Sequence, residues 1–326
     1  MIFPAFLRPG DTVGITAPSA GVDPADTEFD FSLSVLRAAG YRIRESADVR
    51  TGLPAGAPPQ TRGRELNGLL RDDAVKAILC AAGGDFLIGM LPFADPEAFR
   101  ANPKWIKGYS DPTGLLYYFT TKTDIATIYG LNAGGYAIDD PSVAFDLALL
   151  GGAVLPQKSY ALYEGDRALR AGDRYALTEP VVWETPCGPV DARGRLLGGC
   201  LDCLCDLFGT RFDGTAEFLS RYAGEGVIWY FDIFDMRAEA VYRALFKMRE
   251  MGYFCGAKAF LFGRVCFPGS YAEISYPEAA RMALGDAPMV FGADVGHVPP
   301  RMTLINGARA HLTAADGRGQ LEMSLS

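Results

Sequence analysis

Between residues 9 and 129, short apolar runs of β character alternate with segments of helical spacing, and this alternation constrains the fold more than any other feature. Residues 9–19 read as a first buried strand entering a turn, 30–39 as a helix ended by Gly40, and 41–45 as a short strand. Residues 48–62 are rich in proline and glycine and read as a loop. A helix at 64–71 leads to a β-type run at 75–82, which closes on Gly83-Gly84-Asp85. Another helix starts at 85–91, and strands follow at 105–108 and 125–129. Strands separated by helices pair in parallel through crossovers. The expectation is therefore an α/β protein with an N-terminal Rossmann-like parallel-sheet domain over residues 1–155, its site at the carboxyl ends of the strands.

The pattern weakens over 139–159, and 156–184 mixes turns with short strands at 160–163 and 181–183. The interdomain connection is placed at 156–190. A C-terminal mixed β/α domain then covers 191–326, opening with Gly194-Arg195-Leu196-Leu197-Gly198-Gly199. It holds a strand at 227–231 that ends in Asp232, a helix at 238–251, a strand at 259–265 and late strands at 289–291 and 302–304. Residues 308–313 alternate like an edge strand. The apolar stretch 196–208 reads as helical. No internal repeat or low-complexity tract is evident.

Across its 326 residues the chain carries a formal net charge of −8. That balance argues against nucleic-acid or anionic-membrane binding, because no basic patch emerges to meet phosphate. The opening Met1-Ile2-Phe3-Pro4 lacks a basic segment followed by an apolar one, and no run approaches the roughly 20 apolar residues of a membrane span. A soluble, cytoplasmic protein is expected. Seven cysteines do not suggest a disulfide framework. Cys200, Cys203 and Cys205 invite a zinc reading, but no second cysteine–histidine pair stands at a useful spacing, so they read as buried thiols and no metal is expected. Histidine-dependent chemistry has two candidates, His297 and His311.

In Trp105-Ile106-Lys107-Gly108-Tyr109-Ser110-Asp111-Pro112-Thr113 a buried run ends at a small-residue corner and a helical segment follows at once. That is the shape of a nucleophile elbow, in which a strained turn presents a serine hydroxyl; here Pro112 replaces the usual second glycine. A plain helix cap is the alternative. A serine nucleophile needs a base and a carboxylate to orient it. His297, framed by Gly296 and by Pro299-Pro300, has the rigid setting of a positioned base, whereas His311 lies in an alternating strand and reads as surface. Asp232, ending a buried apolar run, is the candidate carboxylate, with Asp235 and Asp294 as rivals. The N–H groups of Asp111 and of Gly84, in the Gly83-Gly84 pair, could form an oxyanion hole. A phosphate-binding turn is the alternative for that pair, although neither a dinucleotide fingerprint nor a P-loop lysine accompanies it.

Taken together and in order, several segments resemble the LD-carboxypeptidase family of serine peptidases, which includes microcin C immunity peptidases. They are residues 8–19, Gly83-Gly84, Asn102-Pro103-Lys104, residues 108–113, residues 194–201 and residues 292–300, spread over nearly the whole chain. The resemblance implies a nucleophile domain followed by a domain holding acid and base, with a Ser–Glu–His triad. Ser110 matches the nucleophile and His297 the base. The glutamate position reads Asp232, one methylene shorter, and an arginine of the family's glycine-rich turn reads Ala82. The resemblance also implies a homodimer and no cofactor. The implied substrate is a small peptide, either an L,D-linked muropeptide or a peptide–nucleotide conjugate, cut at a C-terminal amide, with the loop at 183–191 as a possible lining of its pocket.

Overall fold

The first apolar run folds as β1 (Thr12–Thr16). The elements that follow alternate: α1 (Thr27–Ala38), β2 (Arg42–Glu45), α2 (Pro59–Arg71), β3 (Val75–Cys80), α3 (Pro96–Ala101), β4 (Trp105–Gly108), α4 (Thr113–Thr123), β5 (Thr127–Tyr129) and α5 (Pro141–Leu150). The computed structural model describes residues 1–138, 140–166, 168 and 174–326, which divide into two units. Residues 167 and 169–173, part of the connection expected at 156–190, lie outside the described residues. The first unit's main body is Met1–Val154 with Thr303–Gly307.

Its sheet has the parallel order β2-β1-β3-β4-β5, and Leu304–Asn306 adds a sixth strand antiparallel to β5. All of β4, and all of β3 except Lys76, is buried. Continuous apolar runs suit parallel strands covered on both faces. The strand order reverses between β1 and β3, and ligands of such sheets bind outside the carboxyl ends at that switch point. Those ends run into Ala17-Pro18-Ser19 and Ala81-Ala82-Gly83-Gly84.

Three local readings change. The proline-rich stretch contains a helix start: Pro58 caps α2 and Pro59 opens it, where a missing N–H costs no intrahelical bond. The helix expected at 85–91 is instead two 3₁₀ turns, Leu87–Gly89 and Leu91–Phe93, since Gly89 and Pro92 both oppose a longer helix. The weak pattern after residue 139 contains α5, whose Asp140 cap accepts the Ser142 N–H at 2.8 Å. Its sequence is mostly apolar all round, so no periodicity marked it.

The second unit's main body is Ala176–Met302 with Ala308–Ser326. Its region of the chain holds β6 (Gln157–Lys158), β7 (Leu162–Glu164), β8 (Leu177–Pro180), β9 (Val190–Cys200), α6 (Leu201–Leu207), α7 (Thr215–Arg221), β10 (Val227–Asp232), α8 (Ala238–Glu250), β11 (Ala257–Gly263), α9 (Tyr276–Leu284) and β12 (Met289–Ala293). After β13, the Leu304–Asn306 strand of the first unit, come β14 (Arg309–Ala315) and β15 (Arg318–Ser324). The sheet order is β12-β11-β10-β9-β14-β15-β6, parallel from β12 to β9 and antiparallel beyond, while β7 and β8 pair antiparallel in a separate two-stranded sheet. The stretch at 196–208, read as helical, is the end of β9 followed by α6, with Cys200 at the corner. Periodicity alone does not separate a buried strand from a buried helix. Among the described residues no helix is long and apolar enough to cross a membrane.

Candidate active site

In the first unit β4 ends at Gly108 and α4 begins at Thr113, so the chain turns over four residues. Ser110 sits in that turn with a φ of 67°, a left-handed conformation costing a non-glycine residue on the order of 1–3 kcal/mol. Its carbonyl accepts the Thr113 N–H at 2.9 Å, which fastens the corner to the helix. The bare Cα of Gly83 faces the serine: a Cβ there would lie 3.0 Å from both Cβ and Oγ of Ser110.

Next to it, Gly84 has a φ of 144°, and any side chain would overlap the Ser19 hydroxyl. Ser19 Oγ donates to the Asp111 carboxylate, which also accepts the Leu87 N–H at 2.9 Å. Burial pushes the Asp111 carboxyl above its ordinary range, and these two bonds oppose the rise. Buried Arg62 joins the turns after β1 and β3, its Nη1 donating to the Pro18 carbonyl at 2.7 Å and its Nη2 to the Phe86 carbonyl at 3.1 Å. Among the described residues, neither the Gly84 N–H nor the Asp111 N–H has an acceptor. Ser19, Arg62 and the Asp111 side chain had no role in the sequence reading. The only signal for Ser19 was its place at the end of the 8–19 segment.

In the second unit β10 delivers Asp232, wholly buried, opposite Cys200 of β9. Its Oδ2 lies 2.7 Å from His297 Nδ1, and its Oδ1 accepts the His297 backbone N–H at 3.3 Å. Phe234 covers the imidazole, its ring centroid 4.6 Å away and tilted by 48°. Gly296 has a φ of 97°. Nδ1 faces a carboxylate, and Nε2 is the nitrogen on the other side of the ring.

The rival aspartates are engaged elsewhere. Asp294 is wholly buried, 2.6 Å from Arg264 Nη1, and accepts from Trp183 Nε1 at 2.9 Å. Asp235 lies beside Asp202, whose proximity raises its carboxyl and whose oxygens accept the N–H groups of Phe234 and Asp235 at 3.0 and 3.1 Å. His311 is half-buried on β14 with Nε2 2.7 Å from Asp191 Oδ1. Trp183, at the start of the loop expected to line a pocket, is fully buried. All seven cysteines are thiols, and a bond with Cys203 together with burial lifts Cys200 well above its ordinary range. Among the described residues no group of three or more histidine, cysteine or acidic side chains is placed to hold a metal.

Residues 13–130 match the family described as the LD-carboxypeptidase N-terminal domain, and residues 193–312 match the LD-carboxypeptidase C-terminal domain. A relative from Bacillus subtilis named "Probable murein peptide carboxypeptidase" is 27% identical, the alignment covering 99% of this chain and 95% of that one. The microcin C7 self-immunity protein MccF of Escherichia coli is 24% identical over 93% of this chain and 90% of its own. A solved structure of MccF in complex with glutamyl sulfamoyl guanosine superposes with a TM-score of 0.81 at 21% identity, covering 99% of this chain and 98% of that one.

Proposed function

The chain belongs to the LD-carboxypeptidase family of serine peptidases, and from that premise we propose that it hydrolyses a C-terminal amide bond with Ser110, His297 and Asp232 as its triad. Ser110 Oγ attacks the carbonyl carbon, and His297 Nε2 takes the hydroxyl proton and delivers it to the departing amine. Asp232 holds the Nδ1–H and stabilises the imidazolium. The N–H groups of Gly84 and Asp111 receive the oxyanion in both tetrahedral intermediates. Water, deprotonated by the same histidine, then releases the acid and restores the serine.

The observation that carries this reading is Ser110 itself: a non-glycine residue at φ 67° on a strand-to-helix corner, its hydroxyl against the bare Gly83. A helix cap needs no left-handed residue there. Asp232 in place of the family glutamate shortens the acid by one methylene, and the 2.7 Å contact to His297 supports its keeping the orienting role.

The substrate class in this proposal is a small peptide, with the L,D bond of a murein tetrapeptide first and a peptide–nucleotide conjugate second. The second is supported by the sulfamoyl nucleotide held in the MccF structure. A cytoplasmic homodimer acting without a cofactor completes the proposal, and light scattering of the purified protein tests its assembly. The deciding assay is D-alanine release from the murein tetrapeptide, run beside cleavage of glutamyl sulfamoyl guanosine, with wild type and Ser110→Ala. Turnover of the first substrate, abolished in Ser110→Ala, is the expected result. Turnover of the second alone moves the protein to the conjugate class. Failure on both, together with no labelling of Ser110 by a fluorophosphonate, overturns the hydrolase.

A further inference from the structure

The conformation of Ser110 is imposed from outside its own turn. β4 and β5 pair in register through Lys107↔Ile128 and Gly108↔Tyr129, and the Gly130 N–H donates to the Gly108 carbonyl at 3.0 Å. Backbone pairing stops there, and the side chain of buried Asn132 supplies the next rung. Its Oδ1 accepts the Tyr109 N–H at 3.1 Å and its Nδ2 donates to the Tyr109 carbonyl at 3.3 Å.

The Tyr109 carbonyl and the Ser110 N–H belong to one peptide plane. Asn132 holds its oxygen, and the Tyr129 hydroxyl accepts its N–H at 3.4 Å. On the far side of the Ser110 Cα, the carbonyl is bound by Thr113. With both planes fixed, the angle between them is fixed too, which is how a strained φ persists.

The carrier of Asn132 is equally constrained. Lys107 Nζ donates to the Leu131 carbonyl and lies 3.0 Å from Asp146 Oδ2, an ion pair with both side chains wholly buried. Gly108 lets the amide approach, since a Cβ there would come within 2.9 Å of Asn132 Oδ1.

We propose that Asn132 is a positioning residue for the nucleophile, clamping the Tyr109–Ser110 peptide so that Ser110 stays left-handed. The proposal rests on the nucleophile reading of Ser110. Its test compares wild type, Asn132→Ala, Asn132→Asp and Ser32→Ala in two measurements. Ser32 is the control: its hydroxyl donates to the Ala133 carbonyl at 2.6 Å and accepts the Tyr136 N–H at 2.7 Å, so its loss removes comparable buried bonds beside Asn132 without touching Tyr109.

The first measurement is the rate at which a fluorophosphonate labels Ser110. Asn132→Ala is expected to label about 100-fold more slowly. Asn132→Asp, which keeps the acceptor for Tyr109 N–H but loses the donor to its carbonyl, is expected to slow about tenfold. Ser32→Ala should stay within about twofold of wild type even where its melting temperature falls as far. Equal labelling by the Asn132 variants and wild type, or an equal loss in Ser32→Ala, overturns the proposal. The second measurement is a crystal structure of Asn132→Ala, or of Asn132→Asp should the alanine variant not fold. Ser110 is expected to leave the left-handed region, and its retention there overturns the clamp. If wild type itself is neither labelled nor active on either substrate, the hydrolase reading fails, and the φ of Ser110 in the variant still decides the clamp.

Discussion

Gly296 makes room for Asp232: a Cβ on residue 296 would overlap the Oδ1 that accepts the His297 N–H. The left-handed φ of Gly296 reinforces this dependence, so the residue before the histidine is chosen by the carboxylate under it. Gly296→Ala should therefore displace Asp232 and separate it from the imidazole. Expected are an activity loss of roughly a thousandfold and a stability loss of about 2 kcal/mol. Peptide turnover and urea unfolding of the same preparation check both.

Asp232→Asn keeps the shape of the side chain and removes its charge. An amide beside Nδ1 can reverse the ring tautomer, leaving Nε2 protonated and unable to accept the serine proton. The turnover number is expected to fall about 10⁴-fold with little change in KM, by analogy with the same substitution in enzymes that use a Ser–His–Asp triad. Steady-state kinetics give the split. A loss confined to KM would remove Asp232 from the orienting role.

Asp294→Asn should behave in the opposite way. It leaves the Arg264 guanidinium, itself nearly buried, without its carboxylate. Breaking a buried pair by removing one partner costs about 3 kcal/mol or more. Thermal unfolding should show a large drop, while the folded fraction, titrated with a fluorophosphonate, keeps a per-site rate near wild type.

Asp48 predicts a pH effect. It is buried, Ser46 Oγ donates to its Oδ1, and among the described residues its Oδ2 has no partner. Burial raises its carboxyl from an ordinary 3.8 to about 6, against the lowering effect of Ser46. Between about pH 4 and pH 6 the folded state thus holds a proton that the unfolded chain has released. The contribution of Asp48 to stability therefore falls as pH rises through that window. Asp48→Asn should melt above wild type at pH 7.5, and the difference should close by about pH 4. A difference that does not vary between pH 4 and 7.5 would contradict this assignment.

Local chemistry made the strand–helix alternation of the first 129 residues readable, though not every boundary within it. β1, β3 and β4 of the first sheet each carry an apolar run, and the corner at Ser110 lies within one short stretch of sequence. The residues supporting that corner were invisible for the opposite reason. Ser19 meets Asp111 across 92 positions, and Asn132 meets Tyr109 across 23, so neither pairing leaves a periodic trace. The three aspartates near the ends of β10 and β12 look alike in sequence. What distinguishes them is the partner each meets: His297 for Asp232, Asp202 for Asp235, and Arg264 with Trp183 for Asp294. The boundary at the end of β9 was misread because a buried strand and a buried helix use the same residues.

The strand Leu304–Asn306 completes the first unit's sheet by pairing with β5. During synthesis on the ribosome, β5 emerges long before this partner does. Until residue 306 has been made, the backbone groups of buried Thr127–Tyr129 form an open sheet edge, able to recruit a strand from another nascent chain. The first unit is therefore not a module that can mature vectorially and wait. Its last strand is made only after β6 to β12 have been made, so a chain stalled after α5 carries Ser110 on an unfinished sheet.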